Sequence, residues 1–321
     1  MTTGKMPLVD VQDLKVHFLT FRGAAKAVDG VRFQIRKNQT LGLIGESGCG
    51  KTTMAMAIMR FVKPPGRIVA GRILFDGADI VAMRDEAIRQ LRGKHISIVR
   101  QEAQNALNPV MTIGRQITEL ILAHEDVTKN AAGDRARQQL HLVGISDQRI
   151  NSYPHEFSGG MKQRAMVAIA TACNPKLLIL DEPTTGLDVI VQRQLLRMLN
   201  NLKDALHLTS VFISHDLSVV AETCDRVAVM YAGKLVEEAD TVDLYQHPMH
   251  PYSQALIGAY PNLKGEKRRL KSIPGAPPRL IHPPAGCRFE PRCRHAMAVC
   301  AQKEPPVKQR GGHRVACHLI E

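Results

Sequence analysis

An α/β fold built around a parallel sheet is what this sequence predicts, and three features carry that reading. The run Gly45-Glu46-Ser47-Gly48-Cys49-Gly50-Lys51-Thr52-Thr53 fits the phosphate-binding loop pattern G-x-x-x-x-G-K-[ST]. It lies between the apolar run Leu41-Gly42-Leu43-Ile44, which reads as a buried strand, and Met54-Ala55-Met56-Ala57-Ile58-Met59, which reads as a helix. A second apolar strand, Lys176-Leu177-Leu178-Ile179-Leu180, runs into Asp181-Glu182. Carboxylates there sit at the ligand-binding edge of an α/β sheet. The third feature is a change of composition after about residue 250, where prolines crowd the chain and four of its cysteines fall close together.

The loop pattern has a direct chemical meaning. Its glycines let successive backbone N–H groups turn inward around a polyphosphate, and the helix that follows adds the positive end of its dipole. Residues 45–53 are therefore the expected nucleotide cradle. Lys51 reaches the β- and γ-phosphates and the Thr52 hydroxyl holds Mg²⁺. Asp181 is placed to hold the same ion through its water shell. Glu182, one residue on, is placed to polarise a water attacking the γ-phosphate.

Taken in order, residues 9–19 and 27–35 read as strands, residues 71–80 as a hairpin, and residues 95–100 as a strand ending at Gln101. Residues 102–173 are mostly helical in pattern. Within them, Phe157-Ser158-Gly159-Gly160-Met161-Lys162-Gln163-Arg164 opens an alanine-rich helix. Ser-Gly-Gly at a helix start is a second anion site, made of a hydroxyl, exposed N–H groups and a dipole. A strand over residues 211–214 delivers His215, and residues 226–238 read as a late hairpin turning at Ala232-Gly233-Lys234. The expected division is a nucleotide-binding domain over residues 1–250 and a small domain over residues 251–321. The proline load of the second prevents long helices and leaves it too broken to hold a core alone.

Composition narrows the class. Hydrophobic residues make up 44 % of the chain, enough for a sizeable core. No window approaches the roughly 18 apolar residues of a membrane span, and the N-terminus lacks the apolar segment of a secretory signal. The expected location is the cytoplasm. Net charge is +13, and residues 262–321 hold 13 Lys and Arg against 4 Asp and Glu. A basic surface suits an anionic membrane leaflet or an acidic partner, and most such charges are expected to be solvated. Aromatic residues are only 4 % and Trp is absent, so platforms for stacking bases are scarce and no nucleic-acid partner is expected.

Cys287, Cys293, Cys300 and Cys317 are spaced C-x5-C-x6-C-x16-C. In a reducing compartment such a group points to metal ligands or free thiols and not to disulfides. The tight C-x2-4-C knuckles of structural zinc are missing, whereas iron–sulfur clusters accept wider spacing. An iron–sulfur site, a zinc site and unliganded thiols are the three readings left by the spacing.

The segment Ser158-Gly159-Gly160-Met161-Lys162-Gln163 resembles the signature motif of ATP-binding cassette (ABC) ATPases. Tyr153-Pro154-His155-Glu156-Phe157, Asp181-Glu182-Pro183-Thr184-Thr185, His250-Pro251-Tyr252 and the cysteine-bearing ending resemble the ATPases of oligopeptide/dipeptide permeases. The resemblance covers nearly the whole chain. It implies the ABC ATPase form of the phosphate-loop fold: a parallel-sheet core, an antiparallel β layer, an inserted helical subdomain over about residues 102–173, and a small irregular metal-bound C-terminal domain. It places Gln101, Asp188 and His215 in the Q-, D- and H-loops, with Gln101 a further magnesium and water ligand and His215 on the γ-phosphate.

Phe18 falls where the family stacks an aromatic on adenine, with Phe21 as its rival. In the family two subunits face head to tail, so Ser158, Gly159, Gly160, Gln163 and Asp188 would act on the nucleotide of the other subunit. The implied cofactors are ATP, Mg²⁺ and a [4Fe–4S] cluster on the four cysteines, with Zn²⁺ as the alternative. The implied partners are a second ATPase subunit (a different sister chain), two transmembrane permease subunits and an extracytoplasmic substrate-binding protein. The chain would then sit peripherally on the cytoplasmic face of the membrane and drive uptake of peptides or similar solutes. Arg100 and Ala103 depart from the aromatic and proline common beside the Q-loop, and Gly186 from the usual D-loop alanine. Soluble ABC proteins of translation or repair carry tandem cassettes or a long coiled coil; here one loop lies about 100 residues before the signature.

Overall fold

A computed structural model describes residues 6–100, 106–259 and 273–320. Along the chain run β1 (Val9–Thr20), β2 (Gly23–Ile35), β3 (Thr40–Ile44), α1 (Lys51–Ile58), β4 (Gly66–Phe75), β5 (Ala78–Asp79), α2 (Asp85–Leu91) and β6 (Ile96–Val99). There follow α3 (Ile113–His124), α4 (Lys129–Leu142), α5 (Gly159–Thr171), β7 (Leu177–Asp181), α6 (Val189–Leu206), β8 (Thr209–Ile213) and α7 (Leu217–Thr223). The last part holds β9 (Arg226–Tyr231), β10 (Lys234–Asp240), α8 (Thr241–Gln246), α9 (Pro251–Gly258), α10 (Ala298–Gln302), β11 (Val307–Arg310) and β12 (His313–Ala316). Two compact units result, one made of Met1–Ile35, Thr40–Val81 and Ser214–Glu321, the other of Arg36–Gln39 and Ala82–Ile213.

The first unit holds an antiparallel sheet in the order β2-β1-β4-β5. Alternation drives β1: Val9, Val11, Leu14 and Val16 are buried, and the change of parity between Val11 and Leu14 is absorbed by a register shift. The same unit holds β11-β12-β10-β9-β3, in which β3 runs parallel to β9 and the other pairs are antiparallel. Strands β3 and β9 are buried over almost their full length, as the continuous apolar runs Leu41-Gly42-Leu43-Ile44 and Val227-Ala228-Val229-Met230-Tyr231 require.

The C-terminal segment is an extension of this sheet, because β12 pairs with β10. Two acids on β10, Glu237 and Glu238, are 0 % and 1 % exposed. Burying a carboxylate costs several kcal/mol unless it is paired and hydrogen-bonded. Glu237 accepts from the backbone N–H groups of Met249 (2.8 Å) and His250 (2.9 Å) and pairs with His313 Nδ1 at 2.8 Å. Glu238 meets Arg226 at 3.1 Å and Arg314 at 2.8 Å. His313 and Arg314 both lie on β12, so these bonds fix the last hairpin in register on the sheet. A small apolar cluster of Val315, Cys317, Ile320 and Met249 lies beside it.

The second unit contains three parallel strands in the order β8-β7-β6, with Ile96 opposite Leu177 and Leu177 opposite Thr209. Its helices show the 3.6-residue period plainly. Helix α3 buries Ile113, Ile117 and Ile121, and α4 buries Ala132, Ala136 and Leu140. Thr112 and Thr128 cap them by accepting from the N–H groups of Arg115 and Ala131. The helical reading of residues 102–173 is thus observed from α3 to α5, with residues 101–105 outside the described set.

Within the first unit the tail is held to β2 by another buried charge. Arg288, 5 % exposed, donates to the Asp29 carboxylate on β2 and to the Ala232 carbonyl, and Lys234 approaches Asp29 at 3.4 Å. Removing one partner of a buried pair leaves the other charge uncompensated. The expected result for Asp29→Ala is a loss of roughly 3–5 kcal/mol in unfolding free energy, seen as a lower denaturant midpoint. A change within about 0.5 kcal/mol, the range of ordinary surface substitutions, would contradict the role given to Asp29.

Candidate functional site

The phosphate-binding loop joins the end of β3 to the start of α1 in the first unit. Its glycines are dictated by how closely other backbone approaches. Gly45 has φ +146°, and a Cβ there would stand 2.1 Å from the Met230 carbonyl oxygen. Gly50 caps α1 at φ +109°, and a Cβ there would stand 2.2 Å from the Ala27 carbonyl oxygen. The loop therefore threads between β9 and β2, and only glycine fits at these two points. The Gly233 N–H adds a 2.9 Å bond to the Cys49 carbonyl.

Lys51, 8 % exposed, donates its ammonium to the carbonyls of Gly45 (2.7 Å) and Glu46 (3.1 Å). Its cation and the first turn of α1 thus lie on the same loop, the combination an oxyanion needs. Thr52, next in line, is exposed, and Thr53 half-buried. Cys49 is 4 % exposed, and its Sγ lies 3.8 Å from Lys51 Nζ. Burial raises the Cys49 pKa more than Lys51 lowers it, so this thiol stays protonated at neutral pH.

Two side chains from the C-terminal half close on the loop. The Glu46 N–H donates to the Tyr252 hydroxyl at 2.9 Å. The Glu46 carboxylate forms a two-pronged bond with Arg292, at 2.7 and 2.9 Å. Sequence reading missed both. The expectation that most basic charges of the tail are solvated does not hold for Arg288 and Arg292, which are 5 % and 8 % exposed. The only signal was their position beside cysteines in Cys287-Arg288-Phe289 and Arg292-Cys293.

The other expected groups of the first unit are placed as follows. Phe18 on β1 is half-buried and lies against Gly66, where a Cβ would stand 2.7 Å from its ring. Phe21, at the β1–β2 turn, is 93 % exposed with the Arg22 guanidinium 5.2 Å over its ring. His215 is exposed, one residue before Asp216, which caps α7 by accepting from the Ser218 N–H at 2.9 Å.

In the second unit Asp181 is the last residue of β7 and 2 % exposed. Glu182 follows at φ +54°, a left-handed conformation that is strained for a residue with a side chain. It is held there by its own N–H on the Ile213 carbonyl (3.0 Å) and by the Thr185 hydroxyl on its carboxylate (3.0 Å). Ser158 is the exposed cap of α5 and accepts from the Met161 N–H at 3.4 Å. Gly159 and Gly160 are half-buried and Gln163 is 4 % exposed, so Ser158 is the most accessible of the residues expected to form the second anion site. Asp188 is exposed and caps α6, accepting from Ile190 and Val191 at 3.0 Å. Gln101 lies outside the described residues.

Cys287, Cys293, Cys300 and Cys317 all line one small cavity, together with His250 and Phe289, and none forms a disulfide. Burial raises the Cys287 thiol to about 11 and pushes Cys293 and Cys317 upward. Backbone hydrogen bonding at Phe289, His295 and Leu319, each two residues on, opposes that rise at the three thiols. Backbone N–H groups near a sulfur favour its thiolate once a cation is present. Among the described residues no group of three or more His, Cys, Asp or Glu side chains is arranged to hold a metal ion.

Two family descriptions match this chain: "ABC transporter" over residues 28–185 and "oligopeptide/dipeptide transporter, C-terminal region" over residues 236–300. A probable peptide ABC transporter ATP-binding protein of Sinorhizobium fredii is 45 % identical, covering 97 % of this chain and 94 % of the relative. The oligopeptide transport ATP-binding protein OppD of Bacillus subtilis is 44 % identical over 94 % of this chain and 85 % of its own length. Among solved structures, a dimeric ATP-binding cassette bound to ADP and Pi matches in fold with a TM-score of 0.65 at 22 % identity, covering 73 % of this chain and 98 % of that one. CbiO1 of Clostridium perfringens matches with a TM-score of 0.67 at 25 % identity, covering 76 % and 92 %.

The loop geometry separates two substitutions. Gly45→Ala collides with the Met230 carbonyl, whereas Gly48→Ala meets nothing within 4 Å and carries only the strain of its φ of +77°. A displaced loop is expected to weaken nucleotide binding by roughly 100-fold in Gly45→Ala, and by clearly less in Gly48→Ala. Equal effects in a nucleotide titration would show that the close approach does not shape the cradle.

Proposed function

Because this chain belongs to the ABC transporter family and is an ATPase whose hydrolysis is coupled to transport, we propose that it powers the uptake of peptides or similar small solutes. The observation that carries this reading is the phosphate loop, formed in full between β3 and α1 with Lys51 folded onto it. It is supported by relatives named for peptide, dipeptide and oligopeptide transport that match over nearly the whole chain. Among the described residues no helix is long and apolar enough to cross a membrane. That fits a peripheral subunit on the cytoplasmic face, working with two transmembrane permease subunits and an extracytoplasmic substrate-binding protein.

The reaction is phosphoryl transfer to water, which positioned charge catalyses more than covalent chemistry does. The N–H groups of residues 45–53 and the Lys51 ammonium neutralise the phosphates, and Phe18 stacks on the base. Thr52, Asp181 and Gln101 are the residues to hold Mg²⁺, which screens phosphate charge when bound. Glu182 takes the proton of the attacking water, and its fixed strained backbone aims the carboxylate. His215 holds the γ-phosphate. Ser158, Gly159, Gly160, Gln163 and Asp188 serve the nucleotide of a second ATPase subunit, a different sister chain, in head-to-tail pairing. Its exposed hydroxyl and α5 N-terminus are what such pairing requires of this side.

The four thiols are proposed to hold a [4Fe–4S] cluster that orders the C-terminal segment. Their lining of one cavity, with none of them in a disulfide, supports four-thiolate ligation. Zinc is the alternative the same thiols admit.

Glu182→Gln keeps the shape of the side chain but cannot accept a proton. Hydrolysis by the complex is expected to fall roughly 10²–10⁴-fold while ATP binding persists; near-normal turnover would remove Glu182 as the base. Protein purified without oxygen is expected to be brown and to contain about four irons per chain. Replacing any one of the four cysteines by serine should bleach it and open the tail to protease, while Cys173→Ser does neither. Stoichiometric zinc without iron would overturn the cluster and leave the four-thiolate site standing.

A further inference from the structure

We infer that Arg292 is a positioning residue for the phosphate loop, acting through Glu46, so that the C-terminal segment sets the nucleotide affinity of the loop. The inference rests on the reading of that loop as the nucleotide site.

The guanidinium of Arg292 has every N–H direction in use. Two bonds reach the Glu46 carboxylate at 2.7 and 2.9 Å, one the Tyr231 hydroxyl at 3.1 Å, one the Pro274 carbonyl at 2.7 Å, and a longer one the Ile273 carbonyl at 3.5 Å. Its side chain is 5 % exposed, and that of Glu46 26 %. A two-pronged bond between an arginine and a carboxylate fixes orientation as well as distance. Glu46 is held a second time at its backbone, where its N–H donates to the Tyr252 hydroxyl. One loop residue is thus gripped at both side chain and main chain, next to Gly45, whose backbone lies so close to the Met230 carbonyl that no side chain fits there.

Tyr252 and the Tyr231 that accepts from Arg292 belong to one aromatic cluster. Tyr231 and Tyr252 are 4.6 Å apart, and Phe289 lies 5.2 and 5.3 Å from them. Phe289 also lines the cavity of the four cysteines, and Arg292 is bonded in sequence to Cys293. Order in the cysteine segment is therefore passed to the loop over two side-chain contacts. There is an electrostatic reason as well. A carboxylate on a phosphate-binding loop opposes the polyphosphate, and the guanidinium cancels that charge at contact distance. A residue that only stapled the tail would not need to end on the loop.

The test uses the full chain and two readouts: affinity for a fluorescent ATP analogue with Mg²⁺, and amide hydrogen exchange of residues 45–51 without nucleotide. Arg292→Ala is expected to weaken binding roughly 10- to 100-fold and to speed exchange in the loop. Arg292→Lys keeps the charge but loses the fork, so it should fall between the two. Glu46→Gln should also speed loop exchange, and Glu46→Gln combined with Arg292→Ala should be no worse than Arg292→Ala alone. Wild-type affinity and exchange in a folded Arg292→Ala chain would overturn the inference. Should that variant not fold, wild-type loop exchange in Glu46→Gln would do the same. If the unaltered chain binds no nucleotide, it is the reading of the site that fails; if it binds and the variants match it, only the role of Arg292 fails.

Discussion

Two carbonyl oxygens lie so close to the phosphate loop that only glycine fits against them, and neighbouring parts of the first unit hold those oxygens in place. The oxygens of Met230 and Ala27 lie where side chains at Gly45 and Gly50 would be. Those oxygens are kept in place by the strands that carry them. The Asp29 N–H bonds the Gly233 carbonyl at 2.9 Å, tying β2 to the turn after β9. Arg288 then reaches both the Asp29 carboxylate and the Ala232 carbonyl. The C-terminal segment thus braces the same few residues that shape the cradle, and Arg292 reaches the cradle itself.

This gives the tail a role beyond covering a surface. By itself it has few apolar residues to bury, and units of this kind rarely fold without a staple. Here three kinds of bond share the task. Strand β12 adds to the sheet through β10, the buried acids Glu237 and Glu238 are met by His313, Arg314 and Arg226, and two buried arginines pair with Asp29 and Glu46 of the N-terminal part. Paired charges in low dielectric tolerate little displacement, since losing one partner strands the other. Ligation of the four thiols would add order at the centre of that framework, with Phe289 between the thiols and Tyr231 and Tyr252.

What sequence could disclose followed from how local each signal was. The loop and the strand ending at Asp181 are written in short-range patterns of glycine and apolar runs and appear where expected, and the mostly helical pattern of residues 102–173 holds α3, α4 and α5 among the described residues. The hairpin β11–β12 was not foreseen, because Val307-Lys308-Gln309-Arg310 is mostly polar and its pairing is settled by buried Glu237 and Glu238 far away in sequence. Arg288 and Arg292 could not be told from the surface arginines around them: charge counts say nothing of which cation faces inward, and their partners Asp29 and Glu46 lie in the N-terminal part of the chain. Exposure is likewise not given by periodicity: the Phe18 ring packs on Gly66, whereas Phe21 stands 93 % exposed at the β1–β2 turn.

The central claim is that the loop binds its ligand by the phosphates. Calorimetric titration of the chain with MgATP, MgADP and adenosine addresses it most directly. Charge-assisted bonds from Lys51 and the loop N–H groups act on the phosphates alone, so both nucleotides should bind at least roughly a hundredfold more tightly than adenosine. Equal affinity for adenosine, or no heat with either nucleotide, would contradict the account.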